Sequence, residues 1–422
     1  MYSIAWYLLL VPLWLVFIVK MLIGLPGYTR HRLSLFSLFN RKLTQSTLLW
    51  HCVSVGEVVC VTPLIEKILA SNPDLTITIT TTTETGANQV YTSFGDRVQH
   101  CYLPYDCGLL MRRLINRILP KALLITEVEL WPNLINIANT RGIPIALINA
   151  RMTNRSAANY AKLGRFFTAS ANKIQIISAQ SQRDKDNYQR LGVSADKVKN
   201  NGNIKFELSS TSAQDAILES LSSKAHRDNC IIIIAASTHE PEESMIVAAH
   251  KQLASSGVNI QTWLVPRHPQ RFDQVANLLG KSNVNYLRYT QLTEQKATDN
   301  DANVMLIDAM GVLNSAFAKS DIAFIGGSFA EKGGHNALEA AQHNLPVVMG
   351  PSQYNNPEIY DKLAQVANLA TASNQTELEE ILLTWCENIQ QRLSAGNAGY
   401  AVIQQNRGAL AANQKLIEEL IE

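Results

Sequence analysis

Charge of either sign is scarce in this chain. Only 17% of its 422 residues are Asp, Glu, Lys or Arg, and 37 basic side chains nearly cancel 35 acidic ones. A net charge of +2 excludes a protein that coats nucleic acid by bulk electrostatics, and equally an acidic solvating tail. Nucleic acid is therefore not an expected partner. Cysteine is sparse too: Cys52, Cys60, Cys101, Cys107, Cys230 and Cys386 are the full set, and none has Cys-x-x-Cys spacing. That pattern excludes a disulfide framework, suggests no zinc site, and reads as small core thiols in a reducing compartment. With 21 Gly and 14 Pro the chain is neither collagen-like nor of low complexity, and no internal repeat is evident. It lacks GxxxxGK[ST] and a strand-linked GxGxxG, so P-loop and ordinary dinucleotide readings lose support. Two Asp-x-Asp matches, Asp184–Asp186 and Asp299–Asp301, lie in polar stretches away from strand ends and read as solvated surface rather than a metal-held diphosphate site. No metal site and no cofactor are expected.

What is present is unevenly distributed. Residues 1–215 carry 23 Lys/Arg and 13 Asp/Glu, whereas residues 216–422 carry 14 and 22. The halves are +10 and −8, two surfaces suited to different partners. At the N-terminus an uncharged run from Ile4 to Val19 is followed by Lys20 and a further apolar stretch, Met21–Leu25. Trp6, Tyr7 and Trp14 suit a membrane interface, and no small-residue cleavage site marks the run as a removable signal. Arg30, His31, Arg32, Arg41 and Lys42 come next and predict a cytoplasmic body beside anionic inner-membrane lipid. Residues 1–25 are accordingly expected to form a membrane anchor, spanning or interfacial.

From residue 48 onward short apolar runs alternate with amphipathic helical stretches. The first series is 48–55, 75–83, 100–105, 122–130, 143–150 and 174–179. The second is 230–237, 260–266, 303–308, 322–328 and 345–350. Near-continuous β-branched runs between helices predict parallel strands buried on both faces. The expected fold class is α/β with two doubly wound, Rossmann-like domains facing a cleft: residues 26–208, a polar linker 209–229 with a helical centre, residues 230–403, and a terminal helix 404–422 returning to the first domain. Ligands are expected at the C-terminal ends of the strands.

Several constellations at those ends carry chemistry. Ser54, Gly56 and Glu57 follow the first strand, where a carboxylate at a helix start suits a general base or simply complements the helix dipole. Glu127 and Glu129 close another strand; a period of two puts them on one face, in need of solvation or a cationic partner, with Arg151, Arg155 and Lys205 as candidates. In the second half, Ser237 and Thr238 form a turn able to hold an anion or cap a helix. Arg267 and His268 follow Pro266 on a stiff turn, and a guanidinium there is well shaped for phosphate. Gly326, Gly327 and Ser328, then Gly333-Gly334-His335-Asn336-Ala337-Leu338-Glu339, read as a phosphate cradle at a helix start with Glu339 placed to accept ribose hydroxyls.

The segments HCVSVGE (51–57), TTTTETG (80–86), TEVELWPN (126–133), NARMTNRS (149–156), GNIKFE (202–207), AASTHEPEE (235–243), VPRHPQRF (265–272), DAMG (308–311) and GGSFAEKGGHNALEAA (326–341) occur in the order and spacing of a known family. The chain resembles the 3-deoxy-D-manno-octulosonic acid (Kdo) transferases of lipid A, GT-B glycosyltransferases, over nearly its whole length. The resemblance implies inverting, metal-free transfer of Kdo from CMP-Kdo to lipid IV(A) in lipopolysaccharide synthesis, with an acceptor-binding first domain and a CMP-sugar-binding second one. It makes Glu57 the general base and Glu127 and Lys205 transition-state supports. CMP contacts fall on Pro266, Arg267 and His268, on Met310, Gly311 and Val312, and on Asn336, Ala337, Leu338 and Glu339. Two positions depart from the pattern: Val312 replaces the usual glutamate, and Pro241 the usual glycine. From the residues alone, a UDP-sugar transferase or 2-epimerase, or a non-catalytic sugar-nucleotide-binding protein, remains open.

Overall fold

The apolar runs become strands buried on both faces, and helices cover them. The computed structural model describes residues 2–24, 43–207, 215–294 and 302–422. It divides into two units, Met1–Glu207 with Asn406–Glu422, and Leu208–Gln405. The first unit holds seven strands: β1 (Leu48–His51), β2 (Ile77–Thr81), β3 (Gln99–Tyr102), β4 (Ala122–Thr126), β5 (Ile145–Ala150), β6 (Ile176–Ala179) and β7 (Val198–Asn200). They lie in the order β3-β2-β1-β4-β5-β6-β7. Every pairing is parallel, which requires a crossover after each strand and hence helices on both faces. The side-chain alternation is legible in the core. Leu48, Trp50, Leu124 and Ile148 face one apolar cluster, while Leu49, Ile125 and Leu147 face the other.

The second unit repeats the plan with β8 (Ile231–Thr238), β9 (Ile260–Pro266), β10 (Tyr286–Arg288), β11 (Val304–Leu306), β12 (Ile322–Ile325), β13 (Val347–Met349) and β14 (Leu369–Thr371). Their order is β10-β11-β9-β8-β12-β13-β14, again all parallel. In both sheets the order reverses at the centre, between β1 and β4 and between β8 and β12, and in the second β10 lies outside β11 rather than beside β9. A crevice opens at the strand C-termini where the order reverses at the centre.

Two features differ from the sequence expectations. β7, β10 and β14 are strands of three residues each at sheet edges, too short to show a period. The helical centre expected in the linker is the helix Ala216–Arg227, capped by Asp215, whose carboxylate accepts the backbone N–H groups of Ile217 and Leu218. Residues 208–214, like Asp299, Asp301 and the basic cluster of residues 30–42, lie outside the described residues. Asp184 is not solvated surface either. It is fully buried, and its carboxylate accepts Met152 N–H at 2.7 Å and the Ser181 hydroxyl at 2.5 Å.

Residues Tyr2–Leu22 form a helix with Pro12 inside it and Lys20 in its last turn. Phe17 packs against Ala87 and Tyr102, and Trp6 lies 5.7 Å from Tyr105, ring to ring. Leu15, Val16, Val19 and Leu22 are exposed. Among the described residues no helix is long and apolar enough to cross a membrane, so a spanning anchor gains no support here. The C-terminal helix, Ala409–Ile421, belongs to the first unit. Its Ala409, Leu416 and Ile417 are buried in the cluster built on Leu48, Trp50 and Val58. Ile417→Ala is expected to lower stability by about 2–5 kcal/mol, read as a shift of the urea midpoint. Lys415→Ala on the exposed face should stay within about 0.5 kcal/mol.

Candidate active site

Glu57 sits in the first turn of the helix Val55–Ser71 directly after β1. Its side chain folds back: Oε2 accepts the Val53 N–H at 2.8 Å, and the Ser54 hydroxyl reaches Oε1 at 3.4 Å. One good donor is too little for a carboxylate that is only 8% exposed. Burial pushes Glu57 up to about 8, helped by the charges of Glu127 and Glu129 and opposed by the Val53 N–H. A carboxyl held near neutrality in this way is suited to take and give up a proton. A side chain at Gly56 would meet only Ser54 Oγ, at 3.9 Å, so packing does not demand glycine there.

Beyond β4 the chain turns at once. Glu127 adopts φ +59, so strand alternation does not place it beside Glu129 as the sequence suggested; the turn does. Lys205 Nζ lies 3.3 Å from Glu127 Oε1, and Lys205, rather than Arg151 or Arg155, is the cation that meets these carboxylates. Arg151 is half-buried and Arg155 exposed. Burial and the Glu127 charge raise Glu129. Lys205 is carried on a single helical turn, Ile204–Phe206, held by a buried amide network. Asn149 Oδ1 accepts the Ile204 N–H at 3.0 Å, Gln180 Nε2 donates to the Asn149 carbonyl at 2.8 Å, and Asn203 Nδ2 donates to Gln180 Oε1 at 3.1 Å.

In the second unit a cavity of about 260 Å³ opens where β8 and β12 part. Ala236, Ser237 and Ile325 from these strand ends, Arg267 after β9, and His335, Asn336 and Glu339 line it. Leu313 and Phe317, from the helix Leu313–Phe317, form its apolar wall. Neither was foreseen: they lie just past Asp-Ala-Met-Gly in a stretch with no motif of its own. Val312 is the N-cap of that helix and Gly311 takes φ +84, while Met310 is 63% exposed. Asn336 Nδ2 donates to Glu339 Oε1 at 3.2 Å. Burial raises Glu339, opposed by Asn336 and the Arg267 charge. Pro266 ends β9, Arg267 N–H donates to the Thr238 carbonyl at 3.0 Å, and His268 is exposed beside it.

The backbone N–H groups of the first glycine run are already engaged. Glu242 is fully buried, and its carboxylate accepts the N–H groups of Gly327 at 2.8 Å, Ser328 at 2.9 Å, Phe329 at 2.9 Å and Ala330 at 3.4 Å, besides that of His239 at 2.9 Å. Gly326 N–H donates to the Ala236 carbonyl and His335 N–H to that of Gly326. The helix starts only at Leu338, whose N–H is capped by Asn336 Oδ1 at 3.2 Å. Gly326, Gly327 and Ser328 therefore serve the wall, not an anion. At Gly326 a Cβ would lie 2.4 Å from the Ser237 carbonyl, so the two strand ends touch only through glycine. Thr238, Ala337 and Leu338 are fully buried and do not line the cavity. The Pro241 departure leaves the helix intact: Glu242–Ser255 begins immediately after it.

A relative from Haemophilus influenzae described as 3-deoxy-D-manno-octulosonic acid transferase is 38% identical over 373 residues, covering 88% of this chain and 86% of its own. The chain belongs to the 3-deoxy-D-manno-octulosonic acid transferase family. A family model described as 3-Deoxy-D-manno-octulosonic-acid transferase (kdotransferase) matches residues 29–208. A Bordetella pertussis transferase of the same description is 31% identical, covering 78% of this chain and 77% of its own. The chain is thus a Kdo glycosyltransferase of lipopolysaccharide synthesis. Among solved structures, a putative UDP-N-acetylglucosamine 2-epimerase from Listeria monocytogenes aligns with a TM-score of 0.55 at 14% identity, covering 89% of this chain and 95% of its own. That likeness shows the shared two-sheet GT-B fold; family membership, not fold, decides the activity.

Replacing Glu242 by Gln puts an amide NH₂ against backbone N–H donors and leaves some of them buried without an acceptor. Glu242→Gln in the transferase is expected to cost about 2–4 kcal/mol in the urea midpoint and to weaken nucleotide binding, whereas Glu240→Gln, on an exposed side chain, changes neither.

Proposed function

We propose that this transferase moves Kdo from CMP-Kdo to a lipid IV(A) hydroxyl by an inverting displacement, with Glu57 as base. The observation that carries the reading is the buried carboxyl of Glu57 at the end of β1, raised to about 8, in a chain of this family. Glu57 takes the proton of the acceptor hydroxyl as its oxygen attacks the anomeric carbon. The bond from that carbon to the phosphate breaks on the opposite face. Lys205, bonded to Glu127, sets a positive charge against the carboxylate that neighbours Glu57. The donor nucleotide occupies the cavity of the second unit, with Arg267 on its phosphate and Glu339 on its ribose hydroxyls.

No cofactor or divalent metal takes part in this proposal, because one phosphodiester charge is met by side chains alone. We place the enzyme on the cytoplasmic face of the inner membrane. The exposed apolar residues Leu15, Val19 and Leu22 rest on lipid, and the basic residues of the first half face anionic headgroups.

The pH profile tests the base. The carboxylate is the active form and Glu57 ionises only near 8, so kcat/KM should rise through neutral pH and level off above about 8. Glu129→Gln removes a neighbouring negative charge and should move this limb to lower pH. Glu57→Gln should lose about 10²–10⁴ of the rate while CMP still binds. A limb left in place in Glu57→Gln would mean another base. Chelation by EDTA should leave transfer unchanged, and loss of activity restored by a divalent ion would overturn the metal-free reading.

A further inference from the structure

Three imidazoles converge behind the cavity, although only one of them lines it. His335 Nε2 lies 2.9 Å from His239 Nε2. The two rings are nearly coplanar, 11° apart with centroids at 5.2 Å, so they meet head to head in one N–H···N bond. His268 stands edge-on to His239 at 5.3 Å. A bond between two imidazoles constrains both: one must donate while the other accepts, and the pair has room for one shared proton between the facing nitrogens, not two. The local backbone is shaped for it. A Cβ at Gly327 would lie 2.9 Å from His335 Cδ2 and 3.0 Å from Nε2, so glycine there makes room for the ring.

The surroundings leave the pair short of protons. Burial lowers His335 to about 4, with His239, Arg267 and His268 adding to the effect. Burial also lowers His239, where the Glu242 carboxylate opposes it and His268, Arg271 and Lys332 reinforce it. An anion entering beside Arg267 reverses part of this balance, because negative charge within a few ångströms favours the protonated imidazole.

We propose that His239 and His335 act as one proton-sharing unit that takes up a proton from solvent when an anionic nucleotide phosphodiester enters this cavity. The proposal rests on the reading of the cavity as the donor site. In the transfer step the bond between anomeric carbon and phosphate oxygen breaks and its electron pair stays on that oxygen. The leaving nucleotide thus gains a second negative charge. The proton loaded on the pair passes to that oxygen and departs with the nucleotide, while the acceptor's proton goes to Glu57. Charge and protons balance with no further reactant.

Calorimetric titration with cytidine 5′-methyl phosphate tests this, since its phosphodiester keeps one charge throughout the neutral range. Binding is measured in two buffers of different ionisation enthalpy, and the difference gives the protons taken up. The wild-type enzyme should take up at least about 0.3 proton per nucleotide near pH 7, and more near pH 6, as expected when a nearby charge raises an imidazole. The double variant His239→Gln/His335→Gln should bind the same ligand with uptake near zero, which separates the pair from Glu339 and His268. Binding without uptake in the wild type, or uptake unchanged in the double variant, overturns the proposal. No binding at all overturns the donor-site reading and the proposal together. Should the double variant fail to fold, ¹⁵N spectra of the wild-type imidazoles decide: ligand must shift His239 and His335 toward the protonated form, and unchanged spectra with ligand bound overturn the idea.

Discussion

Everything functional in this chain follows from one constraint on parallel sheets: the strand order has to reverse somewhere. While each strand adds beside the last, successive crossover helices pack on one face. When the order reverses, the next helices go to the other face, and the two central strands end with nothing laid across them. In the first unit those strands are β1 and β4, and within a few residues of their ends come Glu57 and Glu127. In the second they are β8 and β12; Ser237 and His239 lie at the end of β8, and Gly326 and Gly327 follow β12. Side chains elsewhere along the central strands of the first sheet, Leu48–Trp50 and Ala122–Ile125, are buried in the two apolar clusters on its faces.

Two buried glutamates show how such an end is made reactive or inert. Glu242 has five backbone N–H groups on its carboxylate; its charge is matched by donors, and it fixes the loop after β12. Glu57 has one N–H at 2.8 Å and a hydroxyl at 3.4 Å. With burial similar and donors fewer, the charged form is under-supported and the proton affinity rises. The number of donors, not the residue type, separates a structural carboxylate from a base. The same competition relocates anion recognition. Because Glu242 occupies the N–H groups of Gly327 and Ser328, those donors are withheld from the neighbouring cavity, whose lining cation is Arg267.

The strands of the interior were legible because burial on both faces forces continuous apolar runs, as in Ile231–Ala236 and Ala122–Ile125. β7, β10 and β14 were not, since an edge strand of three residues has neither length nor period. Glu57, Lys205, Arg267 and Glu339 were legible as motif residues, but their partners were not. Nothing local in the sequence distinguishes Asp184 as a buried acceptor for Met152 from a solvated helix carboxylate. Nor could spacing choose Lys205 over Arg151 as the partner of Glu127, since that choice depends on a turn at φ +59 and on an amide network drawn from three separate loops. Glu242 was hidden for the same reason: four of its five donors are eighty-five and more residues away along the chain.

An acidic second half that receives an anionic donor looks contradictory, and the ion pairs resolve it. Glu243 holds Arg271 at 2.8 Å, Asp308 and Asp273 share Arg288 at 2.6 and 2.8 Å, and Glu219 holds Lys319. Glu242 is turned away onto backbone. Of the residues lining the cavity, Glu339 is the single acid; burial raises its carboxyl and Asn336 ties it down. The charge a ligand meets is therefore set by Arg267 within the cavity, with Arg271 and Lys332 around the histidines behind it, whatever the sum over the half. Screening makes this general: beyond about 10 Å at moderate salt an exposed carboxylate hardly reaches the site, so net charge describes how a domain approaches a surface and the nearest few side chains describe what it binds.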